Sequence, residues 1–530
     1  MAVSRRDFLK TSAVTLAVAA VADPAILAAA EEAGGGAADF TEFLDGGGDE
    51  LILAGRPLSW WTGTFDLPLQ VSYAKQLRAN LRGFLDVFTQ HYPRGEVRFA
   101  GKADTHPTIF RLVGEEGAGI DVASPFELKA ALDAGIPGHL LDVNGNAKDD
   151  GLINSAIQHD MLIVIDSIPE LERVATLAAA AQKTPRAVLR LSGYDLGAVT
   201  ASAIFTAGLW TKFGINIGEI PALLPRLKDM PVRVLGFHTH IGSQITDLNA
   251  YLAVLGKMLE LGALLKAEGH DFSVVNIGGG YPVSYLTEAE WDTLVTRIRD
   301  GYIAARNGDP SKIWLWDDGT GALSMEPDGL PGKTWQGELF WAKYPKEKML
   351  EAILLGEVIV NGTTIKTLDA LAAAGSPALV IEPGRAIVGD AGVTFLRTAF
   401  VKQIAGIHPM LAMEMGVVFY AEAIVGLPAM KWAIATEPNR RDPEPFDTFV
   451  AGNLCFNADM LSRLKVRLQR KPVRGDVLMI AATGAYSPTY FAANANSFPR
   501  PARILVETDG SWSYTHRRDT YDEVFSLRTS

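Results

Sequence analysis

From about residue 95 the chain alternates short apolar runs with longer stretches whose apolar residues recur every three or four positions. The runs are "VRFAGKA" (97–103), "GIDVAS" (119–124), "HLLDVNG" (139–145), "LIVID" (162–166), "AVLRLS" (187–192), "VLGFHTH" (234–240), "VVNIGGG" (274–280) and "ALVIEPG" (378–384). Near-continuous apolar runs of this length suit strands covered on both faces. The intervening stretches, such as "PFELKAALDAG" and "NAYLAVLGKMLELGALLKAEGH", have helical spacing. Eight strand-helix units in succession predict a (β/α)8 barrel over residues 76–385. Beyond Ala386 the helical stretches stop. The runs "VTFLRTAFVKQIA", "TFVAGNLCF", "GDVLMIAATGAY" and "PARILVETDGSWSYTH", the last with an Asp509-Gly510 hairpin signal, predict an all-β domain over 386–530.

Two segments do not fit the alternation. Residues 31–75 read as a Gly-rich leader followed by an N-terminal contribution to the β domain. Between the seventh and eighth strands lies an insertion near 300–350 with Trp314, Trp316, Trp335 and Trp341, far longer than a usual barrel connection. The expectation is a surface subdomain packing its own aromatic cluster; the alternative is a cover over the barrel mouth.

The polar residues of the strands gather at one end. Lys102, Asp121, His240, the triplet Gly278, Gly279 and Gly280, Glu382 and Arg385 all fall at or just past the C-terminal ends of their strands. In a barrel of this type that end carries the catalytic face. A lysine at the mouth, a glycine triplet that can present bare backbone N–H groups to a phosphate and a carboxylate opposite suggest a cofactor with an aldehyde and a phosphate arm, and pyridoxal phosphate has both. No residue set calls for a metal.

Composition narrows the setting. Hydrophobic residues make up 48% and charged residues 21%, and no run of 18 or more apolar residues follows the N-terminus, so no integral membrane segment is expected in the mature form. A formal charge of −12 makes nucleic acid a poor partner. Cys455 is the single cysteine, which excludes an intramolecular disulfide. At the N-terminus, "SRRDFLK" stands before a weakly apolar run ending near Ala30 and is similar to a twin-arginine export signal. Residues 1–30 are therefore expected to be a cleaved signal peptide, and the protein to reach the periplasm already folded.

The motifs "FAGKAD", "GIDVASPFEL", "TKFGIN", "GFHTHIGSQ", "NIGGGYP", "IEPGR", "NLCFNADML", "GDVLMIAATGAYS" and "FPRPARILV" run in this order from Phe99 to about Val506. Together they resemble the fold type III pyridoxal phosphate-dependent decarboxylases, the group of diaminopimelate, ornithine and arginine decarboxylases. The resemblance implies an alanine racemase-like barrel, a C-terminal β domain, decarboxylation of an amino acid, and a homodimer with shared active sites. It assigns Lys102 to the cofactor's aldehyde, His240 to stacking on its ring and Glu382 to its pyridine nitrogen. It gives Asp121 to the support of Lys102 and His240, and the phosphate to Ser243, the three glycines, Arg385 and Tyr486. Cys455 is implied to reach the partner's active site and to handle the proton after carbon dioxide leaves.

Two departures bear on the substrate. Phe456 follows the cysteine where decarboxylases of diamino acids have an acid, and Glu422 and Gly426 align with the arginine and tyrosine that meet the far carboxylate of diaminopimelate. The expected substrate is thus an amino acid other than diaminopimelate, with Phe456 and Asp459 in its pocket. The alternatives are an amino-acid racemase on the same scaffold and a non-catalytic cofactor-binding homologue.

Overall fold

The computed structural model describes residues 44–45, 48–196, 205–316, 340–420, 422, 431–487 and 494–525. The first long strand, β1 (Leu69–Tyr73), leads into helix α1 (Ala74–His91), which buries Leu77, Leu81, Phe84 and Phe88 along one face. The eight barrel strands are β2 (Gly95–Ala100), β3 (Gly119–Val122), β4 (Leu141–Val143), β5 (Leu162–Ile165), β6 (Arg186–Ser192), β7 (Arg233–His238), β8 (Val274–Asn276) and β9 (Ala378–Ile381). Each pairs in parallel with the next, and β9 pairs with β2, so the sheet closes into an eight-stranded barrel. The (β/α)8 expectation is met. The strands are shorter than the apolar runs, because Lys102, His240 and the glycine triplet lie beyond the last paired residue.

Several barrel helices start on a side chain that accepts an otherwise unpaired N–H. Ser124 caps from Glu127 N, Ser167 from Glu170 N, and Thr287 forms a capping box with Glu290. Helix α2 (Leu248–Ala267) is the one described helix long and apolar enough to cross a membrane. Here it lies in the barrel wall, with a hairpin (Glu357–Val360 and Thr363–Lys366) against its outer side, so it is apolar around most of its circumference.

The second sheet begins with the 13-residue strand β10 (Gly392–Ile404) and continues through β11 (His408–Met413), β12 (Trp432–Ile434), β13 (Phe446–Ala451), β14 (Met460–Leu468), β15 (Val477–Ala481), β16 (Ala502–Val506) and β17 (Trp512–His516). The first half of β10 pairs with β1 on one side and β15 on the other; its second half pairs with β11. Strand β1 thus sits inside the sheet, between β10 and β16. The β domain is fastened to the barrel beside Lys102 by a buried Arg503–Asp104 ion pair at 2.9 Å and by the Tyr486 N–H, which donates to the Ala103 carbonyl at 2.8 Å.

The described part of the insertion packs differently from expectation. Helix α3 (Glu288–Arg306) presents Trp291 and Ile298 to Phe340, Trp314 and Trp341, but the cluster also includes Leu464 of β14. The backbone pairs there too, with Trp316 N donating to Arg463 O at 2.7 Å and Lys465 N to Trp314 O at 2.9 Å. The segment extends the edge of the β sheet instead of enclosing a cluster of its own. Trp335 lies outside the described residues, as do Gly426 and the N-terminal signal.

Candidate active site

The C-terminal mouth of the barrel holds a narrow cavity. Its lining includes Lys102, His240, Ser243, Gly280, Glu382, Arg385 and Tyr486. Lys102 is carried there by a single 3₁₀ turn (Gly101–Ala103) directly after β2. Tyr486, at φ 59°, comes from the β domain and lies under the Arg385 guanidinium, 5.1 Å from its ring centroid.

Glu382 is the buried anion of the site. Asn276 Nδ2 donates to its Oε1 at 2.8 Å, and His238 Nε2 stands 3.0 Å from Oε1 and 3.2 Å from Oε2. Burial alone would raise its pKa; the hydrogen bond from His238 and the nearby Lys102 oppose that and hold it below the usual carboxylate range. Asp121, beside Lys102, goes the other way: burial and the Glu382 charge push it well up, and its Oδ1 has no hydrogen-bond partner among the described residues. Asp142, on β4 below, is raised to about 6 by burial, against the pull of Arg98. His240 is kept neutral by burial and accepts from Gly279 N at 3.0 Å through Nδ1, which leaves the proton on Nε2.

The glycine triplet corrects one expectation. Gly278 N is spent on Asn276 Oδ1 at 2.9 Å and Gly279 N on His240, so neither N–H is available to a phosphate. What the triplet contributes is room. At Gly280, φ is 95° and a Cβ would stand 2.8 Å from the Gly242 carbonyl and 3.0 Å from the Tyr251 hydroxyl.

Arg385 is also engaged more fully than expected. Its Nε and Nη2 donate to Ser243 Oγ at 3.3 and 3.1 Å, and Nη1 donates to the Tyr285 hydroxyl at 3.2 Å and to Glu422 Oε1. Both members of the Arg385–Glu422 pair are buried, and Glu422 Oε2 has no hydrogen-bond partner among the described residues. Among the described residues, one N–H of Nη2 is left for a ligand.

The residues around Cys455 stand apart. Cys455 is exposed and Phe456 is half exposed on the loop between β13 and β14, and neither lines the cavity of its own chain. Asp459 is no pocket carboxylate: one oxygen accepts from Val417 N and the other from Leu454 N, both at 2.6 Å, so it clamps the loop. His238, Asn276 and Tyr285 were missed in the sequence. The first two had a signal, since each is the polar residue that ends a barrel strand just before residues singled out above.

A lysine amine, a flat histidine, an ionised carboxylate and a hydroxyl-guanidinium corner around one small cavity match the parts of pyridoxal phosphate: aldehyde, ring, pyridine nitrogen and phosphate. Residues 78–307 match the family model "Pyridoxal-dependent decarboxylase, pyridoxal binding domain". The barrel is that of the fold type III pyridoxal phosphate-dependent decarboxylases. The enzyme is a pyridoxal phosphate-dependent amino-acid decarboxylase, a carbon-carbon lyase. Among its relatives, the diaminopimelate decarboxylase of Methanothermobacter thermautotrophicus is 27% identical over 492 residues, covering 92% of this chain and 95% of that one. The diaminopimelate decarboxylase of Bacillus methanolicus is 27% identical over 478 residues, covering 89% and 94%. The fold is shared with the crystal structure of diaminopimelate decarboxylase from M. jannaschii, at TM-score 0.72 and 21% identity over 92% of this chain and 98% of that one. It is shared also with SrLDC in complex with PLP and cadaverine, at TM-score 0.60 and 18% identity over 84% and 92%.

Proposed function

We propose that this decarboxylase removes the α-carboxylate of an amino acid that has no second carboxylate and whose side chain is uncharged but able to donate a hydrogen bond. The observation behind this is the buried Arg385–Glu422 pair. A distal carboxylate would meet the Glu422 carboxylate, while Arg385, which neutralises Glu422, is committed to that pair and to the phosphate. A distal ammonium is no better placed, because Glu422 would bring it against Arg385. The pair has no net charge, and its spare acceptor, Glu422 Oε2, suits a neutral N–H or O–H donor. Phe456 adds an apolar ring where an acid would be needed for an ammonium. The relatives' names do not support setting diaminopimelate aside; the support lies in these two residues.

When bound, pyridoxal phosphate supplies an aldehyde that the amine of Lys102 or of the substrate can join, and a ring that draws electrons from the α-carbon. Glu382, held ionised, keeps a proton on the ring nitrogen. His240 covers the ring, and Ser243, Tyr486 and the remaining Arg385 N–H serve the phosphate. In a homodimer, the exposed Cys455 of one subunit reaches the cavity of the other and returns a proton to the α-carbon. The segment "SRRDFLK" directs the folded enzyme to the periplasm.

A panel of amino acids, including meso-diaminopimelate, lysine, ornithine, glutamate, glutamine and norleucine, tests the proposal by carbon dioxide release and by loss of optical activity. Release with glutamine above norleucine and the charged substrates supports it, and preference for norleucine removes the hydrogen-bond donor from the assignment. Preference for diaminopimelate removes the substrate assignment, and racemisation without release removes the reaction.

A further inference from the structure

Glu382 can serve a ring nitrogen only if its carboxylate stays ionised and correctly turned inside a closed, dry site. We infer that His238, as the neutral tautomer with its proton on Nε2, is the positioning residue that holds Glu382 in that state, an inference resting on the cofactor site described above.

The tautomer follows from the neighbours. His238 is fully buried, with Nε2 at 3.0 and 3.2 Å from the two Glu382 oxygens and Nδ1 without a hydrogen-bond partner among the described residues. A proton on Nδ1 alone would turn the Nε2 lone pair toward the carboxylate and bury an unsatisfied N–H. A doubly protonated ring would also bury that N–H. With one proton on Nε2, the donor faces the carboxylate and only an acceptor is left unpaired.

Asn144 does not compete. Its Oδ1 accepts from Gly145 N at 3.0 Å and from Arg190 Nη1 at 3.2 Å, which fixes the amide so that Nδ2 faces His238 Nε2 at 3.4 Å, donor against donor. The other charged groups acting on the ring, Arg190 and Asp166, oppose each other, and burial keeps the imidazole neutral. Asn276 supplies the second donor to Glu382, so the carboxylate is gripped from two strands, β7 and β8, and its Oε2 retains acceptor capacity.

The test has a part that needs no turnover. Histidine labelled with nitrogen-15 in the cofactor-free protein, assigned through His238→Gln, should show His238 as the neutral Nε2–H form across the range where an ordinary histidine titrates. In the loaded enzyme, His238→Leu should lower kcat by roughly ten- to a hundredfold, the scale on which outer hydrogen bonds tune other active sites. KM should move little, and the pH midpoint of the cofactor absorption band should shift. His238→Gln, which keeps an N–H near Nε2, should restore most of both. A proton found on Nδ1, or a ring that charges in the ordinary range, overturns the inference. So does a His238→Leu enzyme whose absorption midpoint and kcat match the wild type. If His238→Leu does not fold, the nitrogen-15 spectrum of the wild type and the absorption midpoint of His238→Gln still decide it.

Discussion

Replacing Glu422 by Gln keeps the side-chain shape and one acceptor for Arg385 but removes the charge that neutralises it. The two side chains are 5% and 3% exposed, so water cannot take over the role of counterion. Breaking a buried pair in this way costs about 3 to 5 kcal/mol of stability, and Glu422→Gln should fall near the lower figure because the hydrogen bond partly survives. The loss of that charge also lifts the repulsion that a second carboxylate on the substrate would meet. A carboxylate about 4 Å from Glu422 is spared about 4 kcal/mol at an effective dielectric constant of about 20. Desolvating that carboxylate returns part of the gain, and a net of about 1.4 to 2.8 kcal/mol corresponds to roughly ten- to a hundredfold in selectivity. Initial rates of carbon dioxide release for wild type and Glu422→Gln, each with meso-diaminopimelate and with glutamine, give the ratio of kcat/KM directly. That ratio should rise in the variant toward diaminopimelate. A folded, cofactor-loaded variant with an unchanged ratio, or a wild type that already prefers diaminopimelate, would refute the reasoning.

Lys102→Ala should abolish turnover and prevent borohydride from fixing the cofactor to the peptide that contains position 102, as read by mass spectrometry against the wild type. Asp142 binds its proton more tightly in the folded protein, so its contribution is full below its ordinary value of 3.8 and fades as the pH rises through about 6. Asp142→Asn should flatten the slope of unfolding free energy between about pH 4 and about pH 6, by at most about 3 kcal/mol, in denaturant titrations at several pH values. Arg5→Lys combined with Arg6→Lys should leave the precursor in the cytoplasm, as followed by fractionation and immunoblotting.

The barrel was legible because its strands are buried on both faces, which writes them as apolar runs, and because the residues facing the mouth interrupt those runs at one end. Lys102, His240 and Glu382 could be placed on that basis. The partners that set their chemistry were harder to see. His238 and Asn276 look like ordinary polar interruptions of a strand until closure of the barrel brings them to Glu382, more than a hundred residues away. Arg385 and Glu422 are 37 positions apart, and nothing local marks them as a pair. Asp459 misled for the opposite reason: a carboxylate four residues after Cys455 looks available, while both its oxygens are spent on backbone N–H groups. The tryptophans of the insertion gave no hint of β14, since Leu464 and Arg463 lie more than a hundred residues downstream.

Strand β1 is made early and completed late. It is hydrogen-bonded on one edge to β10 and on the other to β16, whose first residue follows the end of β1 by about 430 positions. At about 5 to 20 residues per second, a ribosome takes roughly 20 to 90 s to cover that distance. Both edges of β1 lack their partners until β10 is made, about 320 positions on, and any chain released before β16 keeps one edge open. An open edge strand is a site for aggregation and for chaperone capture. The sheet therefore works as a check on completeness: only a chain translated almost to its end can close both edges. Under the proposed export in the folded state such a check would matter, because a truncated chain could not present the finished surface of the whole protein.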